Sequence, residues 1–195
     1  MTLADARILC PKLVVVPPDY PKYLRFSKML RRIYSDYTDM IEPFGLDECW
    51  LDVSGSGTLY GSPEKIAGEI RKRVKFELGI TVSVGVSWNK IFAKLGSDYK
   101  KPDAVTVINK NNFKEIVYSL PVSDLLMVGP ATTRKLKNHG IYTVGELAGT
   151  PPHMLAAFLG KMGYIIHSFA NGYENSPVAA CGSSPLIKSV GNGIT

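Results

Sequence analysis

Cysteine is scarce in this sequence. The three present, Cys10, Cys49 and Cys181, are odd in number and widely spaced, which argues against a disulfide framework and against a cysteine metal site. The three histidines, His139, His153 and His167, have no metal-ligand spacing, so surface or satisfied core roles are the simpler reading. Long apolar runs are missing too. The longest candidate, residues 13–16 (LVVV), has the length of a strand and not of a membrane span. Residues 1–11 lack the charged and apolar regions of a signal peptide, so the chain is read as cytoplasmic, with no membrane partner. No internal repeat is visible.

What is present is ordinary globular material. At 195 residues the chain has room for one large domain or two small ones. Apolar residues make up 45% and charged residues 21%, which speaks against bulk disorder. The net charge of +6 is a modest pointer to a polyanionic partner such as nucleic acid. The basic residues cluster at 22–32, 71–75, 90–101 and 134–137.

Periodicity organises the first half. Residues 3–9 have helical character and stop at Pro11. Residues 13–16 read as a buried strand and Pro17-Pro18 as a turn. A helix over about 20–39 carries Tyr23, Phe26, Met29/Leu30, Ile33/Tyr34 and Tyr37 at helical spacing. Its Arg25, Lys28, Arg31 and Arg32 are most simply a solvated face. Residues 41–53 read as a hairpin. Ser62 and Pro63 start the next helix, Gly79 ends it, and Ile66, Ile70, Val74 and Leu78 form its buried stripe. A strand at 81–87, a helix at 90–99 capped by Asn89, and a strand at 104–108 follow. The order predicts one sheet with helices packed on it, an α/β layer structure. Near residues 108–120 the character changes to short helices punctuated by Gly and Pro. Residues 176–195, rich in Gly, Ser and Pro, read as a linker.

Three stretches carry chemistry. The first is residues 41–53 (IEPFGLDECWLDV). Neighbouring carboxylates raise the energy of each other's charge, and a hard divalent cation such as Mg²⁺ removes the conflict. In a straight strand Asp47 and Glu48 would face opposite ways, so they converge only if the chain bends at them. Alone, such a pair is most simply an exposed, charged turn. The second is residues 84–102 (VGVSWNKIFAKLGSDYKKP). A strand feeds a short helix that ends in a basic pair before Pro102, which holds Lys101 outside the helix, where its compact charge suits a polyphosphate. The plain alternative is a solvated helix end. The third is residues 123–141, a short helix, the turn Val128-Gly129-Pro130, and a second helix bearing Thr132, Arg134, Lys135 and Lys137. Turn amides with a helix N-terminus make an anion site, the logic of a helix-hairpin-helix on a DNA backbone. The alternative is a structural Gly-Pro turn.

Together and in this order, the three stretches resemble the Y-family lesion-bypass DNA polymerases, the DNA polymerase IV and UmuC-like group. The hairpin is similar to the family's S-x-D-E motif. Residues 84–102 are similar to its G-[IV]-S-x-N-K…A-K…S-D…K-P block, and residues 128–148 to its thumb. The resemblance implies an α/β (α+β) partial polymerase palm over 1–115. It further implies a small all-α thumb with a helix-hairpin-helix over 116–175, and a linker over 176–195. The implied activity is addition of deoxynucleotides to a primer 3′-hydroxyl on damaged template, with two Mg²⁺ ions about 3.5–4 Å apart. By the same resemblance Asp47 bridges both metals and Glu48 binds the one that activates the primer hydroxyl. Lys101 contacts the incoming deoxynucleoside triphosphate. Val128, Gly129, Pro130, Thr132 and Lys135 hold primer-template DNA.

Departures from the family pattern are visible. Gly45 stands where the family has Ser, Met127 where the thumb turn has its first Gly, and Ala104 where a Gly follows Lys-Pro. A strand with a first metal-binding Asp, an aromatic steric gate and the fingers are absent. Residues 188–191 (KSVG) resemble the start of the little-finger domain, whose region would carry a sliding-clamp contact. The expectation is an internal fragment that does not extend a primer by itself. Two other readings stay open: a non-catalytic DNA-binding module, and a cyclic-dinucleotide-synthase-like palm enzyme.

Overall fold

The computed structural model describes residues 1–183. Helix α1 (Leu3–Leu9) opens with a reciprocal cap, in which Asp5 N–H donates to Thr2 Oγ1 at 3.2 Å and Thr2 N–H donates to the Asp5 carboxylate at 3.0 Å. It buries no residue. The run at residues 13–16 is not the buried strand its composition suggests. It pairs with no strand among the described residues, and Val14 and Val16 are 82% and 75% exposed. β-branched residues favour a pleated, half-buried surface, and no neighbouring strand supplies one here.

Helix α2 (Tyr20–Ser35) starts on the Asp19 carboxylate, which accepts from Lys22 N–H. Only the C-terminal half of its apolar stripe is buried: Leu30, Ile33 and Tyr34, followed by Tyr37, while Tyr23 stays exposed. The chain then makes the expected hairpin. Strand β1 (Ile41–Phe44) pairs antiparallel with β2 (Glu48–Leu51), with Phe44 opposite Glu48 and Ile41 opposite Leu51. After the short α3 (Gly57–Tyr60), helix α4 (Pro63–Leu78) runs from its Ser62 cap to Gly79. Gly79 has φ +69°, the left-handed cap glycine adopts without strain. Ile66, Ile70 and Val74 of α4 join Leu30, Ile33, Tyr34, Tyr37 and Ile41 in one apolar cluster.

Strand β3 (Val84–Val86) lies parallel to β4 (Val105–Val107), and helix α5 (Lys90–Tyr99) forms the crossover. Asn89 caps α5, its Oδ1 accepting from Phe92 N–H at 2.8 Å. The helix lies so close to β3 that a Cβ at Gly85 would collide with the Ala93 carbonyl and sit 2.6 Å from Ser97 N. The single sheet expected from the sequence does not form among the described residues. There are two two-stranded ladders, β1–β2 and β3–β4, and none joins β2 to β3.

The rest of the described chain is helical: α6 (Phe113–Val117), a 3₁₀ turn (Val122–Asp124), α7 (Pro130–Asn138), α8 (Val144–Gly149), α9 (Pro152–Leu159) and α10 (Lys161–Ala170). Its core includes Val117, Val122, Leu136, Leu147, Leu155 and Ile166, together with Ile91, Phe92 and Leu95 of α5 and Ile108. The change near residues 108–120 is therefore one of secondary structure, and the apolar core runs across it. Just before α7, Met127 sits at φ +70°, in the left-handed region. A glycine would adopt this conformation without the strain a side chain brings.

Residues 172–181 return to the first half as a strap. The Asn89 amide donates to Gly172 O at 3.0 Å, Ala179 N–H to Glu42 Oε2 at 2.8 Å, and Cys181 N–H to Asp39 O at 2.8 Å. Residues 188–191, which resemble the start of a further domain, lie outside the described residues. Burial of Glu42 works against its charge. Hydrogen bonds from Lys90 and from Ala179 N–H, with the Lys90 charge, outweigh that and hold its carboxyl below the ordinary value.

Two outcomes follow from this packing. Met127→Gly removes a left-handed strain of about 1 kcal/mol at a side chain that is 61% exposed, so the urea midpoint should rise without a change in slope. The strap should respond to acid. A depressed carboxyl pKa contributes stability above the unfolded value, about 4.3 for Glu, and loses it as pH falls through the folded value. Protection of the amides at residues 174–181, relative to their intrinsic exchange rates, should therefore fall as pH drops below the unfolded value, and Glu42→Gln should show the lower protection already at pH 7.

Candidate functional site

The site is built from the hairpin upward. Gly45, at φ +79°, turns the chain between β1 and β2. The turn is held from α2, where the Arg31 guanidinium donates to Gly45 O at 3.3 Å. Arg31 is thus a support for the hairpin and not merely part of a solvated face. The bend required for Asp47 and Glu48 is present: Asp47 is the last turn residue and Glu48 the first of β2. Asp47 is exposed and has no ion-pair partner among the described residues. Glu48 is half-buried and meets Lys94 Nζ at 3.0 Å.

Helix α5 supplies the opposing charges. Lys94 Nζ also meets Asp98 Oδ2 at 2.5 Å, and Asp98 Oδ1 meets Lys101 Nζ at 2.6 Å. The result is a chain of alternating charge, Glu48–Lys94–Asp98–Lys101, ending in an ammonium that is 56% exposed just beyond the helix. Burial of Lys94 works against its charge, but hydrogen bonds to Asp98 and Glu48 hold its pKa above the ordinary value. Asp98 is opposed by its burial in the same way, and its bonds from Lys101 and Lys94 hold its pKa down. A second contact binds hairpin to helix: Lys90 Nζ lies 2.6 Å from Glu42 Oε2, and the Trp50 indole N–H donates to Lys90 O at 3.1 Å.

The segment after Lys101 is clamped from α4. Arg71 and Lys75 each reach the Asp103 carboxylate at 2.7 Å, and Asp103 has φ +56°. The hydrogen bonds from Lys75 and Arg71 hold its carboxyl below the ordinary range. Asp47, Glu48, Lys94 and Lys101 all line a cleft of about 980 Å³ between the hairpin and β3. Sequence reasoning singled out Asp47, Glu48 and Lys101 but not Lys94 or Asp98 as their link. The signal was present as spacing, Lys94 to Asp98 at four residues on one helix face and Asp98 to Lys101 at three across the helix end.

The residues expected to meet DNA separate. Gly129 and Pro130 are exposed at the start of α7, and Thr132 is half-buried. Val128 is 5% exposed and belongs to the core, so only its main chain is available. Lys135 turns away, its Nζ donating to Phe158 O at 3.4 Å. Arg134 and Lys137, with Ser123 and Thr133, line the depression beside the turn instead. Helical periodicity accounts for the exchange, since residues 134 and 137 share a face that residue 135 leaves.

No cluster of three or more His, Cys, Asp or Glu that would hold a metal occurs among the described residues. The pair Asp47 and Glu48 nevertheless offers hard oxygen donors, and Mg²⁺ is commonly held by one or two carboxylates plus substrate phosphates. Among the described residues no helix is long and apolar enough to cross a membrane.

Comparison with known proteins bears on this geometry. The family model described as impB/mucB/samB matches residues 1–98. The chain is 57% identical over 194 residues to a DNA polymerase IV of Acetivibrio thermocellus, covering 100% of this chain and 49% of that protein. It is 41% identical over 195 residues to a DNA polymerase IV of Moorella thermoacetica, covering 100% and 48%. The chain thus spans about half the length of the curated relatives it matches. Among solved structures, a DinB family error-prone DNA polymerase from Sulfolobus solfataricus matches with a TM-score of 0.80 at 26% identity, covering 91% of this chain and 54% of that one. The insertion ternary complex of Dbh DNA polymerase matches with the same TM-score and identity, covering 91% and 52%. The chain belongs to the impB/mucB/samB family, the Y-family lineage that its ordered motifs resemble.

Proposed function

We propose that this chain forms the nucleotidyl-transfer part of a lesion-bypass DNA polymerase. The observation that carries the reading is the meeting of Glu48, from the hairpin, with the Lys94–Asp98–Lys101 chain of α5 at the cleft where Asp47 is exposed. In this reading residues 1–115 are part of a palm, residues 116–175 a thumb, and residues 176–195 the lead into a further domain that carries any sliding-clamp contact. In this reading the work is done in the cytoplasm.

Each residue has a role that follows from its surroundings. Asp47 and Glu48 would hold divalent cations, and the chemistry these would supply is neutralisation of phosphate charge and acidification of the primer hydroxyl. Lys94 fixes the Glu48 carboxylate in direction until then. Asp98 orients Lys101, whose exposed ammonium meets the triphosphate of the incoming deoxynucleotide. The Gly129 main chain and the start of α7 receive a phosphate of the primer-template, in the manner of a helix-hairpin-helix, with Arg134 and Lys137 adding charge. Family membership counts against a cyclic-dinucleotide synthase. With two carboxylates at the hairpin and no third acid in a cluster among the described residues, the chain by itself is proposed not to extend a primer.

The test uses a chimera in which this chain replaces the matched 194 residues of the Acetivibrio polymerase. Single-nucleotide extension with Mg²⁺ should be retained, and Asp47→Ala or Glu48→Ala should each lower the rate by about 10²–10³-fold, as for removal of one transition-state charge contact. Extension that survives both changes would leave a non-catalytic DNA-binding module as the better reading. For the DNA contact, Lys137→Ala should reduce the slope of log affinity against log salt by about 1, and Lys135→Ala should leave it nearly unchanged.

A further inference from the structure

The segment that follows α5 is held from a distance. Helix α5 gives way at Lys100, and the Ala104 carbonyl accepts from Val84 N–H at 2.9 Å to open the β3–β4 ladder. Residues 101–103 alone therefore set where the Lys101 side chain leaves the main chain. Asp103 lies in the left-handed region at φ +56°, which a residue with a side chain keeps only where its surroundings over-determine it. Those surroundings come from α4. The Arg71 guanidinium donates through Nη1 to Asp103 Oδ1 at 2.7 Å and to Asp103 O at 3.2 Å, and Lys75 Nζ donates to Oδ2 at 2.7 Å. Arg71 and Lys75 share one face of α4, and their neighbours Ile70 and Val74 fix that helix in the apolar cluster.

An acid is an odd choice at this point. Asp103 lines the cleft together with Asp47, Glu48 and Lys101, whereas Arg71 and Lys75 do not. A carboxylate beside a polyphosphate site repels the ligand unless its charge is already engaged. Both Asp103 oxygens are engaged, by cations that stand outside the cleft. The acid is thus the handle by which α4 grips the segment. Arg71 is the firmer grip: its side chain is 28% exposed against 49% for Lys75, and of the two only Arg71 also holds the main-chain carbonyl. Lys101 is consequently held from two sides, its ammonium by Asp98 on α5 and its main chain from α4 through Asp103.

We propose that Arg71, acting through Asp103, positions Lys101 for the triphosphate of the incoming deoxynucleotide while touching no substrate itself. This rests on the triphosphate role proposed for Lys101. Loosening the grip lets the Lys101 ammonium spread over more positions, so the deoxynucleotide binds less tightly. The hairpin carboxylates are held by other contacts and keep their place.

Single-turnover extension by the chimera with the Acetivibrio polymerase separates deoxynucleotide affinity from the maximal rate. Lys101→Ala should weaken affinity by about tenfold, as for loss of one hydrogen bond to a charged group. Arg71→Ala should weaken it by about fivefold with the maximal rate held within about twofold, and Arg71→Lys should recover part of the loss. A merely structural role would lower the fraction of active enzyme and leave affinity alone. Asp103→Gly keeps the left-handed backbone without strain and should weaken affinity as Arg71→Ala does. These two changes shift the net charge oppositely, so an effect of charge alone would move affinity in opposite directions. In a Lys101→Ala background, Arg71→Ala should add nothing. Arg73→Ala, on the same helix but paired with Asp36 and Glu77, should leave affinity unchanged. Loss of affinity in Lys101→Ala but not in Arg71→Ala overturns the positioning role and leaves the reading of Lys101 intact, whereas no loss in Lys101→Ala overturns both. Opposite effects of Arg71→Ala and Asp103→Gly overturn the positioning role too, as does an equal loss in Arg73→Ala. Should the chimera be inactive, titration of the 195-residue chain with inorganic tripolyphosphate, followed by NMR at Lys101, decides the matter. Arg71→Ala should weaken that binding by a similar factor; an unchanged affinity overturns the positioning role, and no response at Lys101 in the wild type overturns both.

Discussion

Carboxylates on the hairpin meet lysines on α5 across the gap between β2 and β3. Because no ladder joins β2 to β3, the hairpin cannot rely on main-chain bonds to reach the second pair of strands. Glu42–Lys90 and Glu48–Lys94 span the gap instead, helped by the Trp50 indole. The lysine side chains are 11% and 18% exposed, so these pairs are less screened than surface ion pairs. Their net contribution is limited by the cost of desolvating each charge. Removing one partner is worse than removing both, because the survivor stays partly buried without compensation.

Helix α5 therefore has two faces with different tasks. Ile91, Phe92 and Leu95 anchor it in the core shared with the C-terminal helices, and Lys90 and Lys94 meet the hairpin. Its cap residue couples the two, since Asn89 closes the helix N-terminus through Oδ1 and binds Gly172 O through its amide. Close approach to β3 is enforced by the absence of a side chain at Gly85. A shift of α5 would thus move Lys94 relative to Glu48 and disturb the strap at once.

Local signals made much of this legible in the sequence, and non-local ones did not. Ser62, Asn89 and Gly79 announce helix ends because a cap needs only its own neighbours along the chain. The Asp47–Glu48 bend and the position of Lys101 beyond α5 were readable for the same reason. Residues 13–16 misled because β-branched composition encodes a preference, while a strand requires a partner that arrives from elsewhere. The two separate ladders were hidden likewise, as register between distant strands leaves no trace in periodicity. Lys94 and Arg31 looked like solvated cations, and their roles depend on a hairpin 46 and 14 residues away from them respectively. Lys135 and Lys137 differ only in helical phase, which a basic cluster read as composition cannot separate.

The cleft brings together the space between β2 and β3 and an acid, Asp47, that has no ion-pair partner among the described residues. Asp47 is exposed in the open cleft. Any ligand bound between β2 and β3 would displace water near the hairpin, and attraction between Glu48 and Lys94 would grow as the surroundings become less polar. The same change would raise the cost of the Asp47 charge, since Lys94 is already engaged by Glu48 and Asp98. A divalent cation held by both carboxylates, as proposed above, would relieve that cost. In the proposed reading, the polarity of the gap and the charge on the carboxylate pair bear on each other through Lys94, which meets Glu48 at the edge of that space.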